Sequence, residues 1–461
     1  MTSTTLTMVD GVKVVVPDSL DLITPYVLRE QQDWFEDEIK FVRKILRAGQ
    51  QVIDIGANYG VYTLSMAHVV GPTGKVWAFE PASTTSAMLA QSIAANGFSQ
   101  IILEKSALSS QRGSARLSLN NNSELNELLR NGSIDASSSE EVPLTTLDDC
   151  LELHKWKDIA VLKIDAEGEE ANILEGGRVF FTRLSPLVEY EVKAGDTLHL
   201  ELIDAFAALG YRSYRLMPGL GVLVPFLPGT APDPYLLNLF CCKPDRAAIL
   251  ASDGHLVDAL PDTLSPSSLP EKCQWRQSLA ALPYGKQLLP TWETTARRDD
   301  TADVEAALAL FVDSQDLTLR AENRVTALQS SFNILSRLCE KNPVHLRQAS
   351  LARVAAACGA RGIAIDALGK LGNTIVTQNK VDLDEPFLAP SERFDALPTG
   401  AQIGNWVLAS VLEELERLIT FSSFYAGASG KQRLEFINQL GFASDEMQRR
   451  LVLVNQRFGL A

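Results

Sequence analysis

Val52-Ile53-Asp54-Ile55-Gly56-Ala57-Asn58-Tyr59-Gly60 is the stretch on which the fold turns. An apolar run of strand character ends on an acid, then passes through small residues into an apolar helical stretch at 61–70. Gly56 and Gly60 let the backbone approach a ligand closely, and a helix start offers free N–H groups. A dinucleotide fingerprint requires G-x-G-x-x-G, and glycine is missing at 58 and 61, so that pattern fails. An acid beside the turn suits a ligand bearing an ammonium better than a pyrophosphate. Taken alone, the segment also reads as an ordinary strand-to-helix turn.

Outward from this turn, apolar β-rich runs at 51–55, 75–79, 101–105, 159–164, 187–192, 211–216 and 237–242 alternate with helix-like stretches such as 61–70, 83–96 and 197–209. Short apolar strands separated by helices predict a parallel sheet covered on both faces. Residues 217–234, rich in Pro and Gly, join the last two runs without a helix, which predicts an antiparallel pair at one edge. The expectation is an α/β fold with a seven-stranded, mostly parallel sheet and an antiparallel edge. Upstream, 25–46 is charged and amphipathic and predicts one helix leading into the first strand, placed to cover a ligand cleft.

Downstream, Pro261, Pro266 and Pro270 among Ser and Asp mark a linker. Beyond it, 304–312, 322–340, 346–358, 363–371, 405–421 and 431–440 read as helices, and strand-like runs are almost absent. In 405–421, Trp406, Leu408, Leu412, Leu415 and Leu418–Ile419 recur at helical spacing, the mark of a core-facing stripe. The stretches 346–358 and 363–371, hinged at Gly359-Ala360-Arg361-Gly362, look like one tetratricopeptide-type hairpin. About three such repeats are needed for a continuous core, so a compact helical domain stays equally open. The organisation expected is a lead-in with an amphipathic helix at 1–48, an α/β domain at 49–245, a linker at 246–274 and an all-α C-terminal domain at 275–461.

Two further signals lie in the α/β half. Val76-Trp77-Ala78-Phe79-Glu80-Pro81 puts Glu80 at the carboxyl end of the second strand, where a carboxylate can accept from both ribose hydroxyls of a nucleoside. Leu162-Lys163-Ile164-Asp165-Ala166-Glu167-Gly168-Glu169-Glu170 puts Asp165 at the end of the fourth strand, beside the point where open α/β sheets take their ligands. Carboxylates crowded there can orient or deprotonate an acceptor. N-capping of a helix that begins near Gly168 is the alternative role for Asp165.

Asp54-Ile55-Gly56-Ala57-Asn58-Tyr59-Gly60, Ala78-Phe79-Glu80-Pro81 and Lys163-Ile164-Asp165-Ala166-Glu167-Gly168 together resemble the FkbM family of methyltransferases. Ser106-Ala107-Leu108-Ser109, Thr145-Thr146-Leu147-Asp148 and Glu189 follow in the family's order, so the resemblance covers roughly residues 50–243. It implies a Rossmann-like class I methyltransferase fold, S-adenosylmethionine as donor and usually a hydroxyl oxygen as acceptor, on natural products or on sugars of glycans and glycolipids. It also implies that Asp54 and Gly56, in one turn with Asn58 and Gly60, border the methionine end of the donor. Glu80 would hold the ribose, with Ser106 and Ala107 near the adenine. The helical C-terminal region lies outside the resemblance.

Methyl transfer from a sulfonium asks mainly for alignment, and near-attack placement at about 3 to 3.5 Å contributes roughly 7 to 11 kcal/mol. An aliphatic hydroxyl also needs a general base, worth about 10² to 10⁴-fold. Asp165, Glu167 and Glu189 are the candidates, with His199 behind them as a helix-surface residue. A metal-assisted route through Asp165 and Glu189 is not demanded by the spacing, and no metal is expected.

The chain has 461 residues and sets 42 Lys and Arg against 57 Asp and Glu, a net charge of −15. A phosphate-binding surface needs clustered cations, whereas Arg297-Arg298 and Arg449-Arg450 are isolated pairs, so no nucleic-acid partner is expected. Six cysteines without CxxC and five scattered histidines show neither a disulfide framework nor a zinc site. No apolar run reaches about 18 residues, and no basic leader opens the chain, so the expectation is a soluble cytoplasmic protein without a transmembrane segment. The partners expected are a small-molecule or glycan acceptor and, through the helical domain, a second copy or another protein. One alternative is a catalytically silent donor-binding scaffold that recruits partners through its helices. Another is a nucleotide-sugar or NAD-dependent enzyme, against which the missing glycines speak.

Overall fold

The computed structural model describes residues 2–120, 122–129, 139–194, 197–198, 200–227, 232–260, 275–295 and 297–460. Two compact units result, and neither is a single stretch of chain. Met1–Leu216, Pro225–Leu227 and Leu236–Asp253 make the first, while Met217–Val224, Pro228–Tyr235 and Gly254–Ala461 make the second.

The first unit opens with a hairpin, β1 (Ser3–Thr7) and β2 (Lys13–Pro17). Two helices follow, α1 (Ile23–Gln31) and α2 (Asp37–Ile45), where one continuous helix was expected. The break is local. Gln32 adopts left-handed backbone, φ 59, and the Asp33 carboxylate accepts from the Trp34 N–H and from two Arg43 nitrogens, each at 2.8 Å. α2 then starts on Asp37 and Glu38 and ends on Arg43 and Lys44, in accord with the helix dipole.

The main sheet begins with β3 (Gln51–Ile55), α3 (Val61–Val70), β4 (Lys75–Phe79), α4 (Ser83–Asn96) and β5 (Ile101–Glu104). Val52, Ile53 and Ile55 are all buried, as in a strand covered on both faces. α3 is buried almost all round, which accounts for its unbroken apolar sequence. A four-stranded sheet interrupts the alternation, with β6 (Ala107–Leu108), β7 (Gly113–Ser118), β8 (Leu128–Leu129) and β9 (Ser139–Thr145) in the order β6-β9-β7-β8. The chain continues through α5 (Leu147–His154), β10 (Val161–Ile164), α6 (Glu170–Glu175), α7 (Arg178–Arg183) and β11 (Leu187–Glu191). A short pair β12 (Lys193–Ala194) and β13 (Thr197–Leu198), then α8 (Glu201–Ala208), β14 (Arg212–Met217), β15 (Val222–Pro225), β16 (Asn238–Cys242) and α9 (Pro244–Ser252) follow.

The main sheet runs β15-β14-β16-β11-β10-β3-β4-β5, eight strands rather than the expected seven. The added strand is β15. Its Val222, Leu223 and Val224 are fully buried, but the run is only four residues long and lies within the Gly- and Pro-rich 217–234, whose composition reads as loop. Pro225 is tolerated because it ends the strand. The five strands from β11 to β5 are parallel, and β16 pairs antiparallel with both β11 and β14. From β3 the chain builds outward through β4 and β5, then returns to β10 on the other side of β3. A crevice therefore opens at the carboxyl ends of β3 and β10, the switch point of an open α/β sheet.

From 275 on, every element among the described residues is a helix. These are α10 (Trp275–Ala280), α11 (Pro283–Thr294), α12 (Thr301–Ser314), α13 (Ala321–Lys341), α14 (His345–Ala357) and α15 (Arg361–Gln378), then α16 (Glu392–Ala396), α17 (Ile403–Ile419), α18 (Ser423–Ala426), a 3-10 helix (Gly427–Gly430), α19 (Lys431–Gln439) and α20 (Asp445–Phe458). α12 to α15 pack in succession, and Trp406 of α17 lies in their core with Met217, Leu220, Val222 and Val224. Within 246–274, residues up to 252 belong to α9, and 261–274 lie outside the described residues, as does His199. No helix among the described residues is long and apolar enough to cross a membrane.

Candidate active site

At the switch point lies a cavity of about 1000 Å³, its open mouth included, within the range that takes a small-molecule ligand. Its floor is the turn after β3. Gly56 has φ +80, and a Cβ there would sit 1.7 Å from the carbonyl oxygen of Asp165, so the turns after β3 and β10 meet at a point only glycine allows. The N–H groups of Gly56 and Ala57 both donate to the Phe79 carbonyl, at 3.1 and 3.0 Å, tying the turn to the end of β4.

Asp54 is 1% exposed. Thr63 Oγ1 donates to its Oδ2, while Oδ1 has no hydrogen-bond partner among the described residues. Burial pushes this carboxyl up, and the Lys163 charge and the Thr63 bond pull it back. Glu80 closes β4. Its Oε2 accepts from the Asn58 N–H at 2.8 Å and its Oε1 from the Ala82 N–H at 2.9 Å. Burial drives it up to about 7 against those two bonds, and each oxygen keeps a second lone pair. Asn58 Oδ1 in turn accepts from Ser123 Oγ at 2.8 Å, joining the turn to the inserted sheet region.

On the β10 side, Lys163 and Asp165 share a face by the period-two alternation of a strand, and Nζ meets Asp165 Oδ2 at 2.6 Å. The Asp165 side chain is 37% exposed and that of Lys163 only 6%. Burial alone would lower the Lys163 pKa, but the carboxylates of Asp165, Asp54, Glu36 and Glu189 hold it above the usual lysine value. Lys163 Nζ also lies 4.7 Å from the centroid of the Tyr62 ring. Burial, with Asp165 and Glu170 adding, pushes the Glu167 carboxyl up to about 8. The turn before α6 is closed by Glu170, which accepts from the N–H groups of Ala166 and Gly168 at 3.1 and 3.3 Å. Asp165 turns to Lys163 instead of capping. Asp165, Glu167 and Glu191 bring carboxylate oxygens within 4.8 Å of one another, a spacing a cation could bridge and that acidic clusters also show without one.

Asp54, Gly56, Asn58, Glu80, Ser106, Ala107, Asp165 and Glu167 all line this one cavity. Gly60 does not. It is the N-cap of α3, with its α-carbon turned to the Leu89 side chain. Glu189 is absent from the lining too, being buried against the Tyr62 hydroxyl. Sequence reasoning missed Thr24, Trp34, Tyr62, Lys163 and Glu124, which line the cavity as well. Lys163 had a signal, since a residue two before Asp165 on a strand shares its face. Thr24 had none, because its partner Glu124, which accepts from the Thr24 N–H at 3.2 Å, comes from the inserted sheet region.

Residues 54–213 match the family model of the methyltransferase FkbM domain. Over this segment the chain is similar to FkbM methyltransferase domains. Among solved structures, the methyltransferase FkbM from Methylobacillus flagellatus KT is 16% identical, with a TM-score of 0.30. That alignment covers 43% of this chain and 45% of the other, so the chain spans less than half the length of this FkbM relative. An rRNA methylase from Streptococcus thermophilus is 11% identical over 45% of this chain and 93% of its own, TM-score 0.26. A SAM-dependent methyltransferase from Aquifex aeolicus is 13% identical over 47% and 93%, TM-score 0.27. Among curated proteins, none matches the chain. The FkbM match begins on Asp54, the acid at the cavity floor, and ends on Ser213 within β14.

Proposed function

We propose that this chain transfers a methyl group from S-adenosylmethionine to a hydroxyl oxygen of a sugar, glycan or natural product. The observation that carries the donor assignment is Asp54 Oδ1, a buried carboxylate oxygen without a partner among the described residues, on the floor of a cavity that Glu80 also lines. An uncompensated buried polar atom is costly, and an ammonium would satisfy it. Glu80, held by two backbone N–H groups, keeps acceptor capacity for a ribose diol. Ser106 and Ala107 supply a small-residue wall suited to a nucleobase. The donor, when bound, supplies an electrophilic methyl on a sulfonium.

We assign Asp165 as the general base toward the acceptor hydroxyl. It reaches the cavity, is the most exposed member of the Lys163 pair, and has its orientation held by the lysine. Glu167, driven up to about 8, carries a proton at neutral pH and suits that role less well. In a test with methyl-labelled donor and a panel of oligosaccharides and hydroxylated natural products, Asp165→Asn should cut transfer by about 10² to 10⁴-fold with donor binding retained. Full transfer by that variant would remove Asp165 from the role.

We further read 49–245 as the catalytic domain, 246–274 as its linker and 275–461 as a helical domain that shapes acceptor access or docks a partner. A net charge of −15 opposes phosphate-rich partners. Free buried thiols at Cys150 and Cys241 suit a reducing, cytoplasmic setting.

A further inference from the structure

A phenol hydroxyl has one proton to donate. Tyr62 Oη lies 2.7 Å from Glu36 Oε2 and 2.8 Å from Glu189 Oε1. Were both carboxyls ionised, one of these contacts would set two lone pairs against each other at hydrogen-bond distance. One carboxyl must therefore hold a proton and donate it to the tyrosine oxygen. The two candidates differ in surroundings. Glu189 is 1% exposed on β11, in the interior of the main sheet, and its Oε2 has no partner among the described residues. Glu36 is half-buried at the start of α2; burial raises its carboxyl too, and Lys163 and the Tyr62 bond pull it back. A charge on Glu189 would be the one left poorly compensated, and a buried charge is far costlier than a neutral acid.

Charge balance agrees. The carboxyls of Asp165, Asp54, Glu36 and Glu189 all act on the Lys163 ammonium, which Asp165 meets at 2.6 Å. Burial pushes the Glu189 carboxyl well up, Lys163 pulls it back, and Glu36 and Glu38 push it up again.

We propose that Glu189 is a neutral carboxylic acid that pins Tyr62, donating from Oε1 to Tyr62 Oη while the tyrosine hydroxyl donates to an ionised Glu36. The consequence reaches the cavity. Two hydrogen bonds at one end of Tyr62 hold its ring, the ring face holds Lys163 Nζ, and Lys163 holds Asp165. Glu189 and Glu36 are thus positioning residues, and Glu36 makes the segment before β3 part of the active-site scaffold. The inference rests on the donor-and-base reading above and deepens it by removing Glu189 from the list of bases.

Infrared difference spectra of the full-length native protein, Glu189→Gln and Glu36→Gln test the shared proton. The native protein should show the carbonyl stretch of a protonated carboxyl that Glu189→Gln loses and Glu36→Gln keeps. Glu189→Gln, which can still donate to Tyr62, should keep its melting temperature and bind S-adenosylmethionine within about tenfold of native (1.4 kcal/mol). Glu189→Ala, which cannot donate, should fall outside that range. An acid band unchanged in Glu189→Gln, or one lost in Glu36→Gln instead, overturns the proposal. So does a folded, donor-binding Glu189→Gln whose methyl transfer falls by about 10²-fold or more, the signature of a lost base. If native protein fails to bind S-adenosylmethionine, the methyltransferase reading falls, and the infrared comparison still decides the proton.

Discussion

Glu80 sits between two opposed influences, burial that favours its neutral form and two backbone N–H groups that favour its charge. The outcome, about 7, places its titration where cells work. Ribose hydroxyls donate more strongly to a carboxylate than to an acid, so donor binding favours ionised Glu80 and should release a proton from it. The sign follows: affinity for S-adenosylmethionine rises as pH passes upward through 7, by roughly tenfold between about pH 6 and about pH 8. Titration calorimetry across that range should show the slope in native protein and its absence in Glu80→Gln. The comparison is needed because Glu167 and Glu38 are also driven up, each to about 8. Asp54, Glu80 and Asp165 were legible from sequence because each closes an apolar strand, where α/β folds present side chains to ligands. Tyr62 and Glu36 were not, since a pairing across Tyr62–Glu36–Glu189 leaves no local pattern.

Among the elements, the turns after β3 and β10 depend on each other. A methyl group at position 56 would meet backbone, not the end of a flexible side chain, and φ is already in the left-handed region. Gly56→Ala should therefore lose more than about 3 kcal/mol of stability, read from the midpoint of a denaturant titration. A variant as stable as native would show that the two turns are not locked. The same scale explains what the sequence concealed. β3, β4, β10 and β11 are apolar because they are buried on both faces, and α3 and α4 have the bounds their patterns predict. The inserted sheet of β6 to β9 is short and largely half-buried or exposed, so no apolar run announces it. β15 is apolar but brief, and its Gly- and Pro-rich surroundings outweigh it. The helix over 25–46 looked continuous because Gln32 and Asp33, which break it, are also common on the solvated face of a helix.

For the whole molecule, the two compact units exchange segments along the chain. Met217, Leu220, Val222 and Val224 are buried in the core of the second unit, although they precede β16 of the first in sequence. A fragment of residues 1–253 would keep those four side chains and lose their helical partners, forfeiting on the order of 6 to 12 kcal/mol of burial. It should aggregate, or melt well below the full chain in a thermal scan; a soluble fragment with unchanged melting would contradict this. Six of the eleven α-helices among the described residues from 275 on were legible from their periodicity, α12, α13, α14, α15, α17 and α19, because each carries a regular apolar face. The four early residues that enter their core were not, because nothing local records which unit a segment joins.

The account stands on the crevice between β3 and β10 being shaped for an adenosyl sulfonium with a free ammonium. Isothermal titration of S-adenosylmethionine into native, Asp54→Asn and Glu80→Gln proteins measures this directly. One site on the native chain is predicted, weakened about 10- to 100-fold in each variant at unchanged melting temperature, as expected for losing a hydrogen bond to a charged group. No heat of binding to the native chain, or equal affinity in all three proteins, would contradict it.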